Sequence, residues 1–300
     1  MILCCGESLI DMLPRETMAG EPAFAPYSGG AVFNTAIALG RLGAPSGYFG
    51  GLSTDLFGRM LEAALTQSRV DARTAARSDR PTTLAFVTLT DGQAQYAFYD
   101  EATAGRMLTE ADLPVLEDTV QALFFGGISL VAEPAADAYA ALAAREDGRR
   151  LVMVDPNVRP GFVRDEARYR ARLSAMLRAA DVVKVSDEDL SWLGTDADTL
   201  IEDGTALVLV TRGAEGVDAI TAQGSARVPA MQVSVVDTVG AGDTFNAGLL
   251  VGLWRGDLLR RDALRAAPLD ALLPAVTLGV RAAAVTVSRA GANPPWETEL

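Results

Sequence analysis

The chain has 300 residues, 49% hydrophobic and 22% charged, with 26 basic against 39 acidic side chains and a net charge of -13. That length fits one large domain or two small ones, and it buries roughly three quarters of its unfolded surface without needing a disulfide or metal staple. The acidic balance repels phosphate backbones and anionic lipid, so neither nucleic acid nor a membrane surface is expected as a partner, and the absence of histidine removes His general bases, Ser-His-Asp triads and HExxH zinc sites.

In chain order, Ile2–Cys5 reads as a buried strand that holds both cysteines as neighbours, which argues against a disulfide and for a reducing cytoplasm. Asp11 comes too early for a signal peptide, and Arg281 breaks the late apolar run 275–287, so no membrane span is expected. Ala31–Leu42 is helical, with Val32, Ala36, Leu39 and Leu42 on one face. A short strand at Gly47–Leu52 precedes a helix over Asp55–Gln67. Then come a strand at Ala122–Phe125, a proline-led helix at Pro134–Ala144, and three continuous apolar strands at Leu151–Val154, Val182–Val185 and Leu207–Val210. A last strand, Val233–Val236, leads into an apolar helix ending near Trp254. Strands alternating with helices predict a doubly wound α/β sandwich, a mainly parallel sheet with helices on both faces.

Ile10–Tyr27 and Thr82–Tyr99 break that rhythm. The second reads as a hairpin around Asp91-Gly92. The two segments are expected to form a small β flap beside the sheet, extra antiparallel edge strands being the alternative.

The chain has one lysine, Lys184, and neither a Gly-Lys-Ser/Thr phosphate loop nor a GxGxxG after a strand. Phosphate would therefore be held by backbone amides, helix N-termini, arginines and metal. The segment 237–248, DTVGAGDTFNAG, has the means. Gly240 and Gly242 let amides approach a ligand, a helix N-terminus favours an anion, and Asp243 in the same turn can take a proton from a hydroxyl. The plainer reading is that the glycines turn the chain and Asp243 caps the helix.

This segment resembles the C-terminal signature of the ribokinase-like (PfkB) carbohydrate kinases. Residues 28–36, SGGAVFNTA, resemble the N-terminal signature of the same family. The resemblance spans essentially the whole chain. It implies a ribokinase-like fold with a β lid (segments near 10–27 and 82–106), ATP, Mg²⁺ and phosphorylation of a sugar hydroxyl. By the same resemblance Asp243 is the general base, Gly240, Ala241 and Gly242 form the anion hole, and Asp11, Gly29, Gly30 and Asn34 hold the sugar. Thr211, Gly213 and Gly216 match its nucleotide-binding turn, with Lys184 and Ser186 nearby. Asp189, or its neighbour Glu188, takes the place of the glutamate that orders Mg²⁺ water. Asp237, Val239, Thr286 and Gly291 match a monovalent cation site, implying K⁺. The family's later serine at that site is Pro295 here.

Within the family, residues 1–14, 84–92 and 98–108 most resemble those of bacterial fructokinases. The segment 155–159, DPNVR, brings Arg159 as a counter-charge for a phosphate or an acid sugar. The alternative substrate is 2-keto-3-deoxygluconate, whose kinases carry a lid arginine. This chain has Phe98-Tyr99-Asp100-Glu101 at that point, and two carboxylates argue for a neutral ketose. Arg106 and Arg159 speak for the acid. Tyr96, Phe98 and Tyr99 pack on the sugar or stiffen the flap. A sugar-binding regulator without catalysis is the reading from another class, and the intact GAGD turn distinguishes the kinase from it. Partly apolar lid edges would allow a homodimer through the lid.

Overall fold

The computed structural model describes the backbone of residues 1–90 and 93–300 and the side chains outside 89–96. The expected turn at Asp91-Gly92 and the Tyr96 side chain lie outside the described residues.

The N-terminal third contains β1 (Ile2–Cys5), β2 (Leu9–Glu16), β3 (Pro22–Gly29), α1 (Ala31–Arg41), β4 (Ser46–Phe49), β5 (Gly51–Ser53), α2 (Leu56–Gln67), β6 (Val70–Asp71), β7 (Ala76–Ser78), β8 (Leu84–Thr90) and β9 (Gln93–Tyr99). The middle contains β10 (Ala122–Gly126), α3 (Ala135–Glu146), β11 (Leu151–Asp155), α4 (Glu166–Ala179), β12 (Val182–Ser186), α5 (Asp187–Leu193), α6 (Ala197–Glu202) and β13 (Leu207–Thr211). The hairpin β14 (Val217–Thr221) and β15 (Gly224–Val228) follows, then α7 (Ala241–Arg255), α8 (Arg261–Ala266) and α9 (Leu269–Val287).

Nine strands form one sheet in the order β15-β14-β13-β12-β11-β10-β1-β4-β6. It is parallel except for β14 and β15, which turn back antiparallel at the edge. Alternate residues of each strand feed two cores: Ile2 and Cys4 pack toward α1, α7 and α9, and Leu3 and Cys5 toward α3 and α4. That alternation points the two adjacent cysteines to opposite faces, and both are free and buried. From β1 the chain moves outward to β4 and β6 on one side and later fills β10 to β13 on the other. The crevice at the carboxyl ends of β1 and β10 is therefore the topological switch point, where open α/β sheets bind ligands.

A second sheet of four strands, β3-β2-β8-β9, stands apart from the first. It joins the two segments that broke the α/β rhythm, with β2 parallel to β8 and the outer pairs antiparallel. Residues opposite one another across a ladder share a face. The register aligns Asp11 with Ala85 and Ala85 with Phe98, so Asp11 and Phe98 share one face. Phe86 and Tyr99 lie on the other face in edge-on contact at 5.5 Å, and Phe24 meets Phe86 at 5.0 Å.

Three local expectations need correction. Val233–Val236 is not a strand: residues 229–235 form no regular element and have no ladder partner. The N–H groups of Val236 and Asp237 donate instead to the carbonyl of Val287, the last residue of α9, satisfying an end that the helix leaves open. Gly47–Leu52 splits into β4 and β5 at Gly50, where an added Cβ would stand 2.4 Å from the Gly6 carbonyl oxygen. The late apolar run is one helix of 19 residues with mean hydropathy 1.4, long and apolar enough by length and composition to cross a membrane, and Arg281 does not interrupt it. Its apolar face packs on α7 through small residues. A Cβ on Gly252 would lie 2.4 Å from Ala275 Cα, and one on Gly248 would lie 2.7 Å from Gly279 Cα. This backbone-to-backbone approach locks α7, and with it Asp243, against the body of the protein.

Candidate active site

The N-terminus of α7 meets the crevice. Gly240 occupies the N-cap in the left-handed region (φ 78°) and gives no side-chain cap. Asp243 is therefore not the cap; it sits in the first turn, where its carboxylate is buried. Ala241 N–H bonds the Thr238 carbonyl at 3.3 Å, whereas the amides of Gly240, Gly242 and Asp243 have no acceptor among the described residues. The open donors thus include Asp243's own N–H in place of that of Ala241 in the expected trio.

Asn34, from α1, donates its Nδ2 to Asp243 Oδ2 at 2.9 Å. Oδ1 is left without a partner among the described residues. Burial raises the Asp243 carboxyl from its ordinary 3.8 to about 7; the Asn34 bond opposes that rise, Asp155 and Glu7 add to it, and Lys184 opposes it. A carboxyl that titrates near neutrality is matched to general-base work.

Asp11 lies at the base of the second sheet, half-buried and with no hydrogen-bond partner among the described residues. Desolvation raises its carboxyl to about 6. A Cβ on Gly29 would come within 2.2 Å of Asp11 Oδ2, so glycine there lets the carboxylate pass. Gly30 N-caps α1. Glu7, which follows β1, accepts from Ala31 N–H at 2.9 Å and from Ser129 N–H at 3.2 Å. It ties the start of α1 to the loop after β10, a role the sequence reading missed for want of a motif around it.

An apolar cleft of about 750 Å³ opens on the other side of the turn. Thr211, Gly213 and Gly216 line it together with Val235, Gly242 and Val280. The structure thereby gathers the expected nucleotide turn and the GAGD turn around one cavity. The exposed valines 233 and 235, misread as a strand, line its wall.

Several other candidates stand differently. Ser186 is the N-cap of α5 and forms a capping box with Asp189. Asp189 Oδ2 accepts from Ser186 N–H and Oγ, each at 2.8 Å, and Oδ1 accepts from Val158 N–H at 2.8 Å. Both oxygens of Asp189 are thus occupied, Oδ1 by the loop after β11 and Oδ2 by the N-cap of its own helix, and exposed Glu188 is the carboxylate left open. Arg159 is exposed and donates only to the Val158 carbonyl. Tyr99 is 63% exposed on the face opposite Asp11, so the ring sharing Asp11's face is Phe98, which packs edge-on to Phe162 at 4.5 Å. Asp100 is held by Arg106 through both oxygens, at 2.9 and 3.0 Å. Its charge is matched, so the argument from two lid carboxylates against an acid sugar loses half its force. Asp237 accepts from Val239 N–H at 3.0 Å and Gly291 N–H at 2.9 Å, joining two of the expected cation ligands, and buried Thr286 donates to Thr244 Oγ1 at 2.9 Å. Among the described residues no cluster of three or more acidic or cysteine side chains forms a metal cage.

Residues 1–299 match the pfkB family carbohydrate kinases. The chain belongs to this family. Within it, a fructokinase of Rhizobium leguminosarum bv. trifolii is 53% identical over 267 residues, covering 87% of this chain and 82% of the relative. Among solved structures, a Xylella fastidiosa fructokinase with bound ATP is similar with TM-score 0.88 at 29% identity, over 97% of this chain and 93% of that one. A double mutant of the Vibrio cholerae O395 fructokinase, in a form with fructose, ADP and potassium ion bound, gives TM-score 0.83 at 27% identity, over 97% and 93%. The ribokinase-like architecture and the pfkB carbohydrate kinase assignment read from the two signatures agree with these comparisons.

Proposed function

We propose that this pfkB carbohydrate kinase is an ATP-dependent fructokinase. The observation that carries the chemistry is a buried carboxylate, Asp243, with one free oxygen beside open amides at a helix N-terminus. The fructokinase relatives carry the substrate. Fructose lies between Asp11, Gly29, Gly30 and Asn34, under the second sheet acting as a lid, with Phe98 rather than Tyr99 facing it. Asp243 takes the proton of the acceptor hydroxyl. That oxygen bonds to the γ-phosphorus as the bond from phosphorus to the β,γ-bridging oxygen breaks, and the electron pair stays on ADP. The open amides meet the negative charge of the transferring group, and the cleft by Thr211, Gly213 and Gly216 takes the nucleoside.

Mg²⁺ neutralises phosphate charge when bound with ATP. It keeps most of its waters, so it needs few protein ligands, and exposed Glu188 fits an outer-sphere role better than the occupied Asp189. For K⁺, the Asp237 carboxylate with the loops at Val239 and Gly291 fits, since each oxygen accepts one N–H and keeps a lone pair. Free, buried thiols fit a reducing cytoplasm.

A coupled assay over fructose, 2-keto-3-deoxygluconate, ribose and adenosine tests the substrate. The expected result is the highest kcat/KM for fructose. A larger value for 2-keto-3-deoxygluconate would replace the sugar and leave the kinase standing. We also propose a homodimer through the lid, supported by Phe24 and Tyr99 exposed on its outer face. Sedimentation at micromolar concentration should then show the dimer mass; a strictly monomeric boundary removes that part.

A further inference from the structure

Behind the GAGD turn lies a buried polar network that the fructokinase reading does not use. Lys184 on β12 and Asp155 at the end of β11 are only 6% and 3% exposed. Lys184 Nζ donates to Asp155 Oδ2 at 3.1 Å and Oδ1 at 3.3 Å. Asn246, one turn along α7 from Asp243, donates its Nδ2 to Asp155 Oδ2 at 2.7 Å. An ammonium has three N–H bonds, and one carboxylate leaves at least one of them over. The ammonium also has a direction. A Cβ built on Gly242 has a single neighbour within 4 Å, Lys184 Nζ at 3.5 Å. The only lysine of the chain is thus buried and ion-paired with Asp155, against the glycine whose amide is open.

We propose that Lys184 stabilises the phosphoryl group in transit, and that Asp155 and Asn246 are the positioning residues that station its ammonium beside the Gly242 amide. This rests on the fructokinase reading. A side chain that only neutralised Asp155 would have no need to face the turn. A fixed cation in a water-poor site acts on charge that develops during transfer, at no cost of reorganisation. In the step, the fructose hydroxyl oxygen bonds to the γ-phosphorus, its proton goes to Asp243, and the bond to the β,γ-bridging oxygen breaks with its electron pair left on ADP. Lys184 gives up no proton; it only meets the charge on the transferring oxygens.

Three variants test this: Lys184→Met, Asp155→Asn and the two combined. The double variant removes both charges of the buried pair, so neither partner is left unmatched, which guards against a simple failure to fold. Wild-type turnover on fructose is measured first, and its absence would remove the fructokinase reading and this proposal together. With turnover established, Lys184→Met is expected to lower kcat by roughly 10²–10³-fold, with the KM for fructose little changed. The double variant should stay as slow. A double variant restored to near wild-type kcat means that Lys184 serves only to neutralise Asp155, and overturns the proposal while leaving the fructokinase reading intact. The pH profile gives a second readout. Asp243 is faced by Asn34, Asp155, Glu7 and Lys184, with Lys184 pulling its carboxyl down and Asp155 pushing it up. The rising limb of kcat/KM should move to higher pH in Lys184→Met and to lower pH in Asp155→Asn. Calorimetry gives a third. ADP with aluminium fluoride and fructose mimics the group in transit, so Lys184→Met should weaken that complex at least about tenfold more than it weakens ADP alone. Equal weakening of both overturns the assignment.

Discussion

Asp243→Asn is expected to lower kcat on fructose by roughly 10²–10⁴-fold, the usual worth of a general base, while fructose affinity is kept. The amide is isosteric and can still meet Asn34, so Asp11, Gly29 and Gly30, proposed above to hold the sugar, are untouched. What disappears is the proton acceptor on the free oxygen. Near-normal turnover in this variant would take the base role away from Asp243.

The same substitution carries an opposite expectation for stability. The Asp243 carboxyl is raised from 3.8 to about 7 in the fold, so the folded state holds its proton more tightly than the unfolded chain does. The associated stability is fully present below about pH 4 and is lost as pH rises through 7. A change of that size corresponds to something on the order of 4 kcal/mol between the two protonation states. Asp243→Asn should therefore raise the thermal midpoint at pH 8 by several degrees and have little effect at pH 4. The working enzyme keeps a buried, ionised carboxylate at the expense of stability, as functional sites commonly do.

Gly242→Val is expected to remove ATP-dependent turnover by at least about 10²-fold in a protein that still folds. The geometry separates the two effects. Gly242 has ordinary helical backbone, and a Cβ there meets only Lys184 Nζ at 3.5 Å, an ordinary contact distance. On the proposed function, the added methyl groups would stand where the phosphates approach the open amides. Gly240 would make a poorer test, because its φ of 78° and a Cβ 2.7 Å from that of Ala292 would strain the fold itself. A folded Gly242→Val variant with unchanged turnover would contradict phosphate binding at this turn.

Much of this was legible in the residues. The continuous apolar runs of β11 to β13 announced a sheet covered on both faces, and the alternating segments 10–27 and 82–99 announced a second one. Two signatures some 200 residues apart carried the family. The failures have physical causes. The valines at 233–236 alternate like a strand, yet their backbone serves the open end of α9 and their side chains wall a cleft. Phe98 and Tyr99 could not be told apart in the sequence because composition does not give register, and one step along a strand reverses the face. Asp100 looked like an unmatched lid charge because Arg106, six residues on, becomes its partner only when the chain folds. Glu7 carries no spacing signal of its own, and Asp155 and Asn246 lie inside the segments 155–159 and 237–248 with nothing in the sequence to set them apart. They become a site because the ends of β1 and β11 and the first turns of α7 converge, and that convergence is a property of topology.

The most direct test is kcat/KM for fructose against pH, with saturating ATP and Mg²⁺, in the wild type and in Asp243→Asn. Burial places the Asp243 carboxyl at about 7, so the wild-type profile should climb as pH passes through that value and the base loses its proton. The variant should show no such limb and lie roughly 10²–10⁴-fold lower. A limb that survives unchanged in the variant, or a wild type that does not phosphorylate fructose at any pH, would contradict the account.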